Sequence, residues 1–185
     1  MKKLITLILI SVSAACLAQQ QKGDLSIQFS GNYIKQNVKY AGENFDYAAG
    51  NIYVKFGQFF TPNIELGVKP NMFFYLEESE SDPKKKKLKT DIGFGVYGTY
   101  SVLTPDGKMI PYAGGEINYV PSGKESTVNL GPYFGLKYFV KENINIDANL
   151  NYSFNVGSTY GDGDLDIGAL VMFNVGIGVI LGTLN

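Results

Sequence analysis

Histidine and tryptophan are absent from this 185-residue chain, and its one cysteine is Cys16. Without histidine the commonest general base is missing. Carboxylate or tyrosine chemistry stays open, but no paired arrangement of either singles itself out. Cys16 lies in a stretch laid out as an export signal: Lys2 and Lys3, an apolar run from Leu4 to Val12, then small residues up to Ala18. Removing residues 1–18 leaves 19–185 with no thiol for a disulfide, a redox site or a thiolate metal site. The alternative is a lipobox at Ser13-Ala14-Ala15-Cys16, with Cys16 kept as an acylated first residue. The apolar run is short for a spanning helix, and no later segment offers the roughly twenty consecutive apolar residues such a helix needs. Basic surplus is lacking too: 16 Lys plus Arg stand against 17 Asp plus Glu. Nucleic acid, which demands a basic surface, is therefore not an expected partner.

What the chain has is 22 glycines, 13 tyrosines and 12 phenylalanines, a mixture suited to short strands and tight turns. From Leu25 onward every second side chain is apolar, the period of a strand with two unlike faces. The clearest case sets Ile144, Ile146, Ala148, Leu150, Tyr152 and Phe154 against Asn145, Asp147, Asn149, Asn151, Ser153 and Asn155. A closing strand from Leu165 to Val179 follows the same rule, with Leu170 and Met172 as apolar exceptions on its polar face. Earlier strands are predicted at Leu25–Ile34, Asp46–Phe60, Ile64–Leu76, Thr90–Val102, Met109–Val120 and Thr127–Val140. Together they make eight in one domain, 19–185.

The connections alternate in character. Thr61-Pro62-Asn63, Pro105-Asp106-Gly107-Lys108 and Lys141-Glu142-Asn143 are tight, and Asp106-Gly107 is a strong hairpin signal. Between them come longer polar connections, Lys35–Phe45, Glu77–Lys89, Pro121–Ser126 and Gly157–Asp164. Short turns on one rim and long loops on the other are what an outer-membrane barrel shows. An even strand number returns both termini to the short-turn rim, which would be periplasmic.

Alternation alone does not say which face looks inward, but composition does. A water-exposed sheet face carries many lysines and glutamates, whereas the polar face here is mostly Gly, Asn, Ser and Tyr, suited to a narrow polar bore. A turn at Asp106-Gly107 sets Tyr97 opposite Glu116 and Thr99 opposite Gly114, so that large meets small as small barrels require. On the other face, Phe60, Tyr100 and Tyr138 near one rim and Phe74, Tyr119 and Phe154 near the other resemble two aromatic girdles. Charges within strands all fall on the polar face: Lys55, Glu65, Lys69, Asp91, Glu116, Lys137 and Asp147. They are the candidate lumen charge network, and Lys137 facing Asp147 across a hairpin suggests an interior ion pair.

These features resemble the broad family of small outer-membrane β-barrel proteins of the OmpA/OmpX type. The resemblance is carried by the signal peptide, eight amphipathic strands, turns such as Thr61-Pro62-Asn63-Ile64-Glu65-Leu66-Gly67, and the Gly-rich last strand Phe173-Asn174-Val175-Gly176-Ile177-Gly178. It implies an all-β, eight-stranded antiparallel up-and-down transmembrane barrel, integral to the bacterial outer membrane, with lipid and the barrel-assembly machinery as partners. The chain departs from the family at its end, Leu181-Gly182-Thr183-Leu184-Asn185, where such proteins commonly carry an aromatic residue. Enzymes of this architecture rely on histidine, so none is expected here.

Four local motifs need placing. Gly93-Phe94-Gly95-Val96-Tyr97-Gly98 spells a dinucleotide-binding pattern, but that chemistry needs a strand-turn-helix setting, and within a strand the glycines read as bore packing. Gly161-Asp162-Gly163-Asp164-Leu165-Asp166 offers carboxylates to calcium, yet reads more simply as a hairpin tip. Asn151-Tyr152-Ser153 is a glycosylation triplet inside a predicted spanning strand. Lys84, Lys85, Lys86 and Lys87 follow an acidic patch within one long connection, where clustered ammonium groups can gather anions such as lipopolysaccharide phosphates or a surface ligand. No metal or cofactor is expected. The leading functional expectation is a non-enzymatic barrel displaying loops for envelope stability, adhesion or surface contact. The alternatives are a narrow channel for ions or small solutes and a soluble lipocalin-like barrel.

Overall fold

The computed structural model describes residues 20–40, 43–79, 82–122, 125–158 and 165–182; in the stretches 34–40, 43–48, 77–79, 82–87, 155–158 and 165–169, and at 122 and 125, the backbone alone is described. Residues 1–18, the expected export signal, and the Gly161–Asp164 tip therefore lie outside the described residues. Eight strands follow in order: β1 Leu25–Tyr40, β2 Glu43–Phe59, β3 Ile64–Ser79, β4 Asp82–Ser101, β5 Met109–Ser122, β6 Glu125–Lys141, β7 Ile144–Ser158 and β8 Leu165–Leu181. Each pairs antiparallel with its neighbours, and β1 pairs with β8 to close the barrel. Where the seam is paired, closure removes free edges, which for an all-β chain is the surest protection against edge-to-edge association.

The faces separate by chemistry. Outward on β8 stand Val171, Phe173, Val175 and Ile177, and outward on β4 stand Ile92, Phe94, Val96 and Tyr100, all exposed. Inward stand amides, hydroxyls and ions: Asn149, Asn151, Lys69 and Asp147 are almost fully buried. This inverts a water-soluble barrel, in which the dry side is the inside. The aromatic positions Phe60, Tyr100, Tyr138 and Tyr119 are exposed on the outer wall, and Tyr152 meets Phe154 edge-on with ring centroids 4.7 Å apart.

The short turns have local causes. The Thr61 hydroxyl accepts from the amides of Asn63 and Ile64, pinning the turn between β2 and β3. Between β4 and β5, Gly107 takes the left-handed conformation at φ 60°, open to glycine without a Cβ penalty. The Thr104 hydroxyl donates to Asp106, whose carboxyl is thereby held below its usual range, helped by the Lys108 amide. The register sets Tyr97 opposite Glu116 and Thr99 opposite Gly114, in line with the sequence pattern.

The long connections differ from expectation. Glu77–Lys89 is not a loop: β3 runs to Ser79, β4 starts at Asp82, and Glu77 pairs with Lys87 and Glu78 with Lys86. Similarly β1 and β2 pair out to Tyr40 and Glu43, and β5 and β6 to Ser122 and Glu125. Once a hairpin rises clear of an apolar surrounding, both faces are wet, so polar residues sit in strands and the two-residue alternation fades. Gly157 and Ser158 likewise belong to β7.

Three irregularities matter. The β2–β3 ladder breaks between Tyr53↔Asn71 and Phe56↔Val68, beside Pro70, and the β6–β7 ladder between Leu130↔Phe154 and Tyr133↔Asn151, beside Pro132. Proline has no amide hydrogen to give a ladder. The third is the seam. Pairing of β1 with β8 runs from Leu25↔Leu181 to Gly31↔Val175 and, among the described residues, no further, although β7 and β8 stay paired to Ser158↔Leu165.

Candidate functional site

The bore is organised in three storeys. The lowest, beside the short turns, is apolar: Phe59, Ile110, Phe139 and Ile180 are buried against one another, with Leu103 packed alongside. They sit in the polar phase of their strands, so side chains that ordinarily face out here meet on the barrel axis and close it. The signal in the sequence is four bulky residues breaking phase, three of them next to tight turns and Ile180 at the end of the last strand. It gains meaning only once the strands are wrapped into a ring.

The middle storey holds the charges. Glu65 on β3 takes the Lys137 ammonium from β6 at 2.9 Å on Oε2, while its Oε1 accepts the Tyr97 hydroxyl at 2.6 Å and the Ser26 hydroxyl. One carboxylate thus ties together β1, β3, β4 and β6. Glu116 on β5 takes the Lys69 ammonium at 2.6 Å and the amides of Asn118 at 3.0 Å and Asn151 at 2.7 Å, all on Oε1. Asp147 on β7 accepts Tyr112 at 2.7 Å and Asn149 at 2.8 Å. Lys55 lies against rings instead, its Nζ 4.2 Å from the Tyr133 centroid and 4.9 Å from that of Tyr97, a cation–π arrangement made stronger by exclusion of water.

The expected Lys137–Asp147 ion pair is corrected by this geometry. The two are register partners, yet the Lys137 ammonium goes to Glu65, and Asp147 is satisfied by Tyr112 and Asn149. In so narrow a bore a four-carbon stem reaches a carboxylate on a distant strand as readily as one on its neighbour. Three lysines and three carboxylates, all buried, balance in this layer.

Glycines make room for it. A Cβ on Gly67 would stand 2.7 Å from Tyr97 Cε1, one on Gly114 2.6 Å from Tyr133 Cζ, and one on Gly135 2.6 Å from the Tyr112 hydroxyl. Gly93 and Gly95, of the dinucleotide-like run, face Asn71 and Asn118 inside the bore with no helix following. Asn151 of the glycosylation triplet is buried on Glu116.

The upper storey, toward the long hairpins, is looser. Two adjacent cavities of about 190 and 180 Å³ share Asn51, Phe73, Leu170 and Met172 in their walls. Asp91, half-buried, lines the first and takes no part in the ion layer's pairs, with Lys69 and Glu116 in the same cavity wall. Lys84 to Lys87 occupy the rising arm of β4, where only the backbone is described. Among the described residues no group of three or more Asp, Glu, His or Cys is arranged to hold a metal, and no helix is long and apolar enough to cross a membrane.

No protein-family model and no curated protein sequence matches the chain. Solved structures do. The outer membrane protein OprG of Pseudomonas aeruginosa is similar at TM-score 0.55 and 13% identity, over 89% of this chain and 98% of that one. Neisserial surface protein A follows at 0.52 and 14%, over 85% and 97%. The E. coli outer membrane protein W gives 0.51 and 13%, over 86% and 98%. At such identities the likeness is one of fold: the chain is a closed eight-stranded antiparallel β-barrel of the kind found in small outer-membrane proteins.

Proposed function

We propose that the protein is a non-enzymatic integral outer-membrane barrel that anchors projecting hairpins, with both termini on the periplasmic side and a bore that does not conduct. One observation carries this reading: the exposed wall is apolar while ammonium and carboxylate groups lie buried inside. In water that arrangement leaves a continuous greasy surface; in lipid it is the stable one, since a lysine on the outer wall at mid-bilayer costs about 2 to 4 kcal/mol. The soluble-barrel alternative needs the opposite distribution. Against a channel stand the apolar storey around Phe59 and Phe139 and the paired ions above it, as eight strands leave an interior that side chains fill.

The display role rests on the hairpin arms, among which Asp82–Leu88 carries Lys84, Lys85, Lys86 and Lys87. The Glu77↔Lys87 and Glu78↔Lys86 register sets opposite charges level on adjacent strands, leaving Lys84 and Lys85 as the cations to meet phosphates of lipopolysaccharide or another anionic surface. Two measurements test the proposal. Membranes washed with alkaline carbonate should retain the protein, and release as a detergent-free monomer contradicts the membrane assignment. Replacing residues 78–86 with a two-residue turn should preserve folding yet abolish binding to lipopolysaccharide micelles; unchanged binding removes this hairpin as the contact.

A further inference from the structure

The upper storey of the bore has features that a display scaffold does not require. Its floor is the Lys69–Glu116 ion pair, internally neutral at 2.6 Å. Above that floor Asp91 adds a carboxylate with no ammonium of the ion layer against it, and Asn51 and Asn129 present side-chain oxygens, buried and without a donor. Unsatisfied buried acceptors are rare in folded proteins and call for an explanation. Asn71, Asn145 and Asn151 carry such oxygens elsewhere in the bore, but those of Asn51 and Asn129 border a cavity. The neighbouring cavity is lined by Phe73, Leu170 and Met172, apolar groups on an otherwise polar inner face, together with Phe74, Tyr75 and Val171. Filling a narrow bore does not account for them, because the space beside them is empty. Together the two spaces reach the lower end of the roughly 300–1,000 Å³ typical of small-molecule sites.

The chemistry of the walls selects the occupant. Acceptors and a carboxylate at one end ask for a donor bearing positive charge; an aromatic ring, a thioether and a leucine at the other ask for an apolar body. Among the described residues that line the two spaces the one cation is Lys69, and it is committed to Glu116, which disfavours an anion. We propose that this vestibule binds a small organic ammonium ion, with the ammonium at Asp91 and the Asn51 and Asn129 oxygens and the apolar body along Phe73, Leu170 and Met172. Phe73 also borders both spaces, so a cation near it gains from the ring face.

The test uses the full barrel in detergent micelles, titrated by calorimetry with 2-phenylethylammonium, and with 2-phenylethanol and phenylacetate as neutral and anionic counterparts. The expected result is saturable one-to-one binding of the ammonium, about tenfold or more weakening in Asp91→Asn, the loss of a charge-assisted hydrogen bond, and no saturable binding of phenylacetate. Leu170→Trp, which fills the apolar space from its half-exposed rim, should also abolish binding while the folded gel mobility is kept. Equal uptake of all three compounds, or ammonium binding indifferent to both substitutions, is partition into detergent and overturns the proposal. A barrel that fails carbonate retention but still binds the ammonium would sink the membrane reading and leave this one standing.

Discussion

The two halves of the barrel are built from the same alternation and held together differently. In the half beside the short turns, β1 and β8 are zipped from Leu25↔Leu181 to Gly31↔Val175, four apolar side chains close the axis, and each carboxylate above them has at least two partners. In the half beside the long hairpins the seam pairing has ended and cavities stand where the lower half has its apolar plug. A small barrel therefore has no need to be uniformly tight. Local stability follows local contact density, and the proposed hairpin display and ligand site both fall in the half with less of it.

Substitutions that strike the same kind of group in each half should sharpen this contrast. Glu116→Ala strands the Lys69 ammonium and two amides, and is expected to cost about 3 to 5 kcal/mol in urea unfolding from micelles. Asp91→Asn, in the upper half, should cost within about 0.5 kcal/mol. Equal losses would mean the ion layer is no anchor. A finer pair compares the two sides of one strand. Gly114→Ala drives a Cβ into the Tyr133 ring and should cost about 1 to 3 kcal/mol, whereas Gly115→Ala, whose Cβ would find its nearest neighbour at 3.9 Å, should be near neutral. The smallest effect is kinetic. Amide exchange in β1 beyond Gly31 should run faster than between Leu25 and Gly31, and uniform protection along β1 would show the seam to be closed throughout.

Much of this was legible in the sequence, for reasons that also mark the limits. Strand number, the short turns and the Tyr97↔Glu116 register follow from two-residue alternation and Asp106-Gly107, which are local signals. Placement of Lys55, Glu65, Lys69, Glu116, Lys137 and Asp147 on the inner face is likewise a matter of phase. Their partners are not: Lys137 and Glu65 lie 72 residues apart, and only barrel closure brings them level. The hairpin arms 77–89 carry a loop's pattern because alternation disappears where both faces meet water, though the backbone stays paired. Phe59, Ile110, Phe139 and Ile180 lie in the polar phase of their strands, and only closure gathers them into one plug.

Orientation of the two faces is the claim on which the rest depends, and the absence of tryptophan gives a clean way to measure it. Single tryptophans placed at Phe134 and Phe173, both exposed on the outer wall, and at Tyr53, buried in the bore, can be reconstituted into vesicles with brominated acyl chains. Strong quenching at 134 and 173 with little at 53 is the predicted result. Quenching at 53 and none at the two outer positions would turn the barrel inside out and contradict the account.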